Sequence, residues 1–325
     1  MKRRTVLFSA LSAMLTKTAL AQETTFTSET PPQATDTERS LRDVSISNGV
    51  RESQLERSNN PLESFSGPVG DFSRQGAYGL PTTPFRIQIN GNRVIPLLIA
   101  VPESHISRPM PFIVMTHGLN QPPTSLWPLA AHFASHGFFV IIPEITTGDT
   151  DQRVKDLHDT MRSIPSIQSR TSYNLMPNTF ALFAVRDAIA PAMLVSGAIS
   201  PKNATKKWPA SCLVAINPES TDDVTALLPT YDTPTVFAVS PNIDKSIIQS
   251  LSKEPKEGLR ILAAIKDISD SVISADGDSD TISFWKSFVT CAISGYIENN
   301  SDFLDIVSGK TYASVTRKAI QVIVA

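Results

Sequence analysis

Between Pro111 and Glu144 the chain reads PFIVMTHGLNQPPTSLWPLAAHFASHGFFVIIPE. Phe112–Thr116 and Phe138–Ile142 are continuously apolar, as parallel strands covered on both faces must be. The residues between them have helical spacing. Thr124 or Ser125 stands where an N-cap belongs, Pro128 falls in the first turns, and Leu129, Ala130 and Phe133 share one face. Gly137 is placed to end the helix. A strand-helix-strand unit of this length predicts a right-handed parallel crossover.

The same pattern continues downstream. Apolar runs recur at Phe180–Val185, Cys212–Ile216, Thr235–Val239 and Ile261–Ile265. Helical stretches are expected around Gln152–Arg162, Ala188–Val195 and Lys245–Ser252, and a last helix over Ile282–Ile297 places Phe284, Phe288, Ala292 and Tyr296 at helical spacing. Upstream, Phe85–Asn90 and Arg93–Val101 flank Asn90-Gly91, a type I′ hairpin signal. No internal repeat is visible. Residues 67–325 therefore suit one α/β domain with a mostly parallel central sheet and helices on both faces.

Residues 1–21 have basic residues at the start, an apolar run from Val6 to Leu15, and Ala19-Leu20-Ala21 before Gln22. That is the pattern of a signal peptide, too short to span a membrane, and it implies an exported protein, periplasmic or secreted. Residues 22–66 are rich in Ser, Thr and Glu and poor in apolar groups, which predicts a disordered linker. With 29 basic and 31 acidic residues and no basic cluster beyond the leader, nucleic acid is excluded as an expected partner. Cys212 and Cys291 permit either one disulfide or two separate core thiols, and they offer no structural zinc site by themselves.

His117-Gly118-Leu119, followed by Ala134-Ser135-His136-Gly137-Phe138 and a strand, resembles the secreted α/β-hydrolases. The match is nearest to dienelactone hydrolases, platelet-activating-factor acetylhydrolase-like esterases and cutinase-like polyester hydrolases. A weaker likeness extends over roughly the last three quarters of the chain. The resemblance implies the α/β-hydrolase fold, with the Phe85–Val101 hairpin as the antiparallel strands that precede the parallel sheet. It further implies that the Leu119 N–H forms half of an oxyanion hole, Asp187 supplying the other.

A family esterase needs a serine on a strained strand-to-helix elbow, an acid, and a histidine base. No Gly-x-Ser-x-Gly occurs. The elbow is expected after Phe180–Phe183, where Ala184-Val185-Arg186-Asp187-Ala188 keeps small residues at both flanking positions around a central Arg186. An ordinary strand-helix turn with a surface arginine is the plainer reading. A guanidinium has only donors and no nucleophile to offer. All five histidines (His105, His117, His132, His136, His158) precede the elbow, whereas the family's base follows the strand that ends at Ile265. The corresponding turn, Lys266-Asp267-Ile268-Ser269-Asp270, carries Asp270 near that position. Asp244 is the candidate acid. Asp276-Gly277-Asp278-Ser279-Asp280 matches only the first half of a calcium loop, with Ser287 where a glutamate is required.

The chain is thus expected to be an exported α/β-hydrolase-fold protein with a degenerate triad and no cofactor or metal, an inactive or very weak esterase homologue. Arg186, His117 and Gly118 would line a site for a small carboxylate or ester, or for a protein partner. An active ester hydrolase with a non-standard triad and an envelope scaffold are the alternative readings.

Overall fold

The computed structural model describes residues 68–104, 106–199, 207–218, 221–242, 249, 260–277, 279–309 and 320–324. The expected leader, the linker, His105, Asp244 and, except for Gln249, the helix expected at Lys245–Ser252 lie outside them. All the described residues belong to one unit, Ser58–Ala325.

A short helix, α1 (Pro68–Ser73), precedes β1 (Phe85–Asn90), β2 (Val94–Ala100) and β3 (Met110–Thr116). Then come α2 (Trp127–Ser135), β4 (Phe139–Pro143), α3 (Thr150–Arg162), α4 (Ile164–Thr171) and β5 (Leu175–Val185). After a 3-10 turn at Arg186–Ala188 follow α5 (Ile189–Ser196), β6 (Cys212–Ile216), α6 (Thr221–Leu227), β7 (Thr235–Val239) and β8 (Arg260–Ile265). The remaining elements are α7 (Asp270–Ser274), α8 (Asp280–Glu298), α9 (Ser301–Ser308) and β9 (Ile320–Val324). The strands form one sheet in the order β1-β2-β4-β3-β5-β6-β7-β8-β9. Pairings from β4 through β8 are parallel, while β1–β2, β2–β4 and β8–β9 are antiparallel.

Alternation within the apolar runs divides the core into two layers. Phe112, Val114, Phe180, Leu182 and Leu213 face one side, against Val154 and Leu157 of α3 and Met193 of α5. Ile113, Met115, Ala181, Phe183 and Val214 face the other, against Phe133 of α2 and Trp285 and Phe288 of α8. Both faces are apolar because both are covered, and this is why the strand runs show no polar alternation. No described helix is long and apolar enough to cross a membrane.

Four local expectations need correction. The hairpin exists, but Asn90 pairs with Val94, so the turn is the three residues Gly91-Asn92-Arg93 and not a two-residue type I′ turn. Gly91 does not have a positive φ. It is required because a Cβ there would sit 2.2 Å from Asp159 Oδ2. Helix α3 holds this turn: Asp159 Oδ2 accepts the Asn92 N–H at 2.7 Å, and the buried Asp156 carboxylate takes both Nε and Nη2 of Arg93. Secondly, neither Thr124 nor Ser125 caps α2; a 3-10 turn at Pro123–Leu126 leads into it and Leu126 is its N-cap, with no side-chain cap. Thirdly, the helix after β5 begins at Ile189 rather than Ala188, because a 3-10 turn comes first. Lastly, Cys212 and Cys291 are both free and buried, which removes the disulfide alternative.

Candidate functional site

The parallel strands β3, β5, β6, β7 and β8 end at one edge of the sheet, where open α/β sheets gather their ligands. Among the described residues, six other than glycine have positive φ: Ser172, Arg186, Asn217, Asp267, Ala275 and Asn299. Ser172, Ala275 and Asn299 terminate α4, α7 and α8, the usual place for a left-handed residue. The other three follow β5, β6 and β8 directly or within two residues, all at this one edge. Asn and Asp adopt that conformation readily, whereas an arginine does so at a cost of about 1–2 kcal/mol. Arg186, at φ 56°, is therefore the strained residue to be explained.

It sits at the turn from β5 into the 3-10 turn and α5, with Ala184 and Ala188 both buried. Thr116 is aligned with Ala184 in the sheet, so the His117-Gly118 turn after β3 stands beside Arg186. The fit is close: a Cβ on Gly118 would lie 3.3 Å from both Asp187 Oδ1 and Gln121 Oε1 and 3.5 Å from Arg186 Cδ. A side chain here would press on the Asp187 and Gln121 side chains, which would have to give by a few tenths of an ångström.

Two ion pairs organise the edge. In the inner one, Arg153 of α3, with a side chain 4 % exposed, pairs through Nη1 with Asp187 Oδ2. Its Nη2 donates to the His117 carbonyl at 2.8 Å. Asp187 Oδ1 accepts the Leu119 N–H at 3.0 Å. In the outer pair, Arg186 Nη2 donates to Asp270 Oδ1 at 2.7 Å. Gln121 Nε2 donates to the same oxygen at 3.0 Å. Gln121 is in turn fixed, since its Oε1 accepts the Gly118 N–H at 3.3 Å and its own N–H donates to the Gly118 carbonyl at 3.0 Å. Among the described residues two cations and two carboxylates thus meet in one network, drawn from the loops after β3 and β5, from α3 and from the start of α7.

The structure therefore brings Arg186, Asp187, Gly118, Leu119 and Asp270 together. Two assigned roles change. The Leu119 N–H is occupied by an internal carboxylate, so it is not presented as an open oxyanion donor. His117 is not a ligand-facing base either. Its ring is buried; Ile145 N–H donates to Nε2 at 3.3 Å, which leaves Nδ1 to donate to the Gly118 carbonyl at 2.8 Å. Burial lowers its pKa, and the Arg153 cation lowers it further. His117 is a neutral brace of its own turn.

Arg186 pairs with Asp270, while its sequence neighbour Asp187 pairs with Arg153. Sequence reading missed Arg153 and Gln121. Arg153 lies on a helix recognised by its periodicity, and nothing in that periodicity marks one of its charges as buried. Gln121 stands three residues after Gly118, and that proximity was its only signal. His132 is a helix residue, whereas His136, expected on the same helix, is its C-cap; they donate from Nε2 to the carbonyls of Phe72 and Arg74 at 3.0 Å each. Nδ1 of His158 accepts Trp208 Nε1–H at 3.0 Å. No group of three or more candidate metal-ligating residues exists among the described residues.

A separate cavity of about 430 Å³ opens at the β1–β2 edge, lined by Arg86, Gln88, Leu97 and Arg170 among others, with no carboxylate or histidine. Compared with known proteins, the chain matches no family model, and no curated protein is significantly similar to it. Fold and site together define an α/β protein with a self-neutralised polar cluster at the carboxyl ends of its parallel strands.

Proposed function

We propose that this is an exported protein of the α/β-hydrolase fold whose acyl-transfer centre has given way to ion pairs, leaving a non-catalytic crevice that binds a small ligand. The observation that carries the reading is Arg186 at φ 56°, on a strand-to-helix turn flanked by Ala184 and Ala188 and paired with Asp270. A strained turn of that kind is where a hydrolase holds its serine, and the loop after β8 is where the resemblance expects the histidine. An antiparallel pair preceding a parallel sheet supports the same fold. Arginine cannot attack an acyl carbon, and a carboxylate in an ion pair does not replace an imidazole base. Loss of both groups from a triad removes several orders of magnitude in rate.

Hydrolysis of p-nitrophenyl butyrate by the purified protein tests the reading, together with labelling by a fluorophosphonate. Turnover indistinguishable from buffer and no labelled serine are expected. Turnover above about 1 per second, the ordinary enzyme range, lost on replacing a single residue, would overturn it.

A further inference from the structure

Resting on that non-catalytic reading, we propose that Arg186 and Gln121 form a carboxylate-binding site whose resident occupant is the chain's own Asp270, displaceable by a small carboxylate carrying a short apolar group. Two donors from different loops, one after β3 and one after β5, converge on a single oxygen, Asp270 Oδ1, at 3.0 and 2.7 Å. The oxygen itself comes from a third loop, after β8. Three strand spacings of about 4.8 Å separate β5 from β8, so Asp270 reaches the donors across the sheet edge.

Donors and acceptor differ in how firmly they are held. Gln121 is tied at both ends to Gly118, and Arg186 is fixed by its strained backbone, with its side chain only 26 % exposed. Asp270 opens a five-residue helix and is 61 % exposed. The donor half thus stays in place when the acceptor leaves, and an ion pair exposed on its acid side is weak. Charge also favours exchange with another anion. Asp187, the other carboxylate of this network, is already neutralised by Arg153 and the Leu119 N–H. The apolar preference is assigned to Leu119, an exposed large hydrophobe (39 %) on the same loop as Gln121, two residues before it in the chain.

The test uses propionate as probe and propionamide as its neutral counterpart. Binding is followed on the arginine side-chain Nε resonances of 15N-labelled protein. Asp270→Ala removes the internal competitor, and Asp270→Asn keeps its size if the alanine variant fails to fold. Propionate is expected to bind either variant at least about fivefold more tightly than the wild type, the factor an exposed ion pair is worth. Adding Arg186→Ala should abolish that binding, and propionamide should bind none of the proteins. Equal affinity in wild type and Asp270 variants, or binding that survives Arg186→Ala, overturns the site. Failure here with no ester turnover leaves the non-catalytic reading standing, whereas ester turnover overturns that reading whatever propionate does.

Discussion

Asp187 accepts the Leu119 N–H at 3.0 Å and pairs with Arg153, although the arginine next to it in sequence is Arg186. The crossing of partners makes one inner, buried pair and one outer, exposed pair. Their energetic weights should differ accordingly. Removing Asp187 strands a guanidinium that is 4 % exposed, and an uncompensated buried charge costs about 3–5 kcal/mol. Because Asp187 itself is 28 % exposed, Asp187→Ala is expected at the low end, about 3 kcal/mol. Asp270→Ala should cost under about 1 kcal/mol, the range of exposed pairs. Urea unfolding measures both, with the slope unchanged as the check that only stability moved. Equal costs would mean that the inner pair is not the anchor of the site.

The φ of 56° at Arg186 gives a second prediction, one in which glycine and alanine exchange their ordinary order. Inside regular structure glycine is the less stable of the two by about 0.5–1 kcal/mol. At a left-handed position the Cβ is penalised by about 1–2 kcal/mol. Arg186→Ala and Arg186→Gly lose the same pair with Asp270, so their difference isolates the backbone term. The glycine variant should be more stable by about 1 kcal/mol, and thermal melts of the two decide it. An alanine variant as stable as the glycine one would show that the turn relaxes out of the left-handed region.

Much of this fold was legible in the sequence because buried parallel strands write themselves as unbroken apolar runs. Cys212–Ile216 and Thr235–Val239 were read to the residue. What escaped reading had weaker signals. Strand β9, Ile320–Val324, is an edge strand pairing antiparallel with β8, far in sequence from the other apolar runs. Helix α4 follows α3 after only Ser163, and nothing in the spacing separates the two. At the hairpin, Asn90-Gly91 suggested a turn chosen for its dihedral angles, whereas the glycine serves the close approach of Asp159. The site divides along similar lines. The strand-to-helix turn at Arg186 was readable, since a strand, two alanines and a helix frame it. Its partner was not, because pairing across three strands depends on how far the loop after β8 folds back.

The two cysteines give a direct chemical test of the core. Cys212 lies in β6 and Cys291 in α8, and both are fully buried. Burial raises both thiol pKa values, that of Cys291 to about 12. Reaction requires the thiolate and access to it, and neither is present in the folded state. A thiol-specific chromogenic reagent should therefore find no reactive cysteine in native protein at pH 8 and two in urea without reductant. Fewer than two in urea would indicate a disulfide and contradict the structure.

Acid should weaken the fold through its histidines, and His132 states the sign most clearly. It is buried in α2 beside His136, ring centroids 4.8 Å apart, and its Nε2 donates to the Phe72 carbonyl. Burial first, then the nearby His136 and Lys286, lowers its pKa to about 3. A histidine depressed in the folded state stays neutral there while the unfolded chain takes up a proton below about pH 6.5. The unfolded state therefore binds more protons, and stability is fully present above about pH 6.5. It is lost as pH falls from there toward 3. For His132 alone the loss between pH 7 and 5.5 is on the order of 1 kcal/mol. His117, His136 and His158, each lowered chiefly by burial, act in the same direction. His132→Gln keeps a donor for the Phe72 carbonyl and removes the titration. Urea unfolding of wild type and variant at the two pH values separates His132 from every group that they share. The stability gap between them should close by about 1 kcal/mol at pH 5.5. Parallel curves would mean that His132 takes up its proton without opposing the fold.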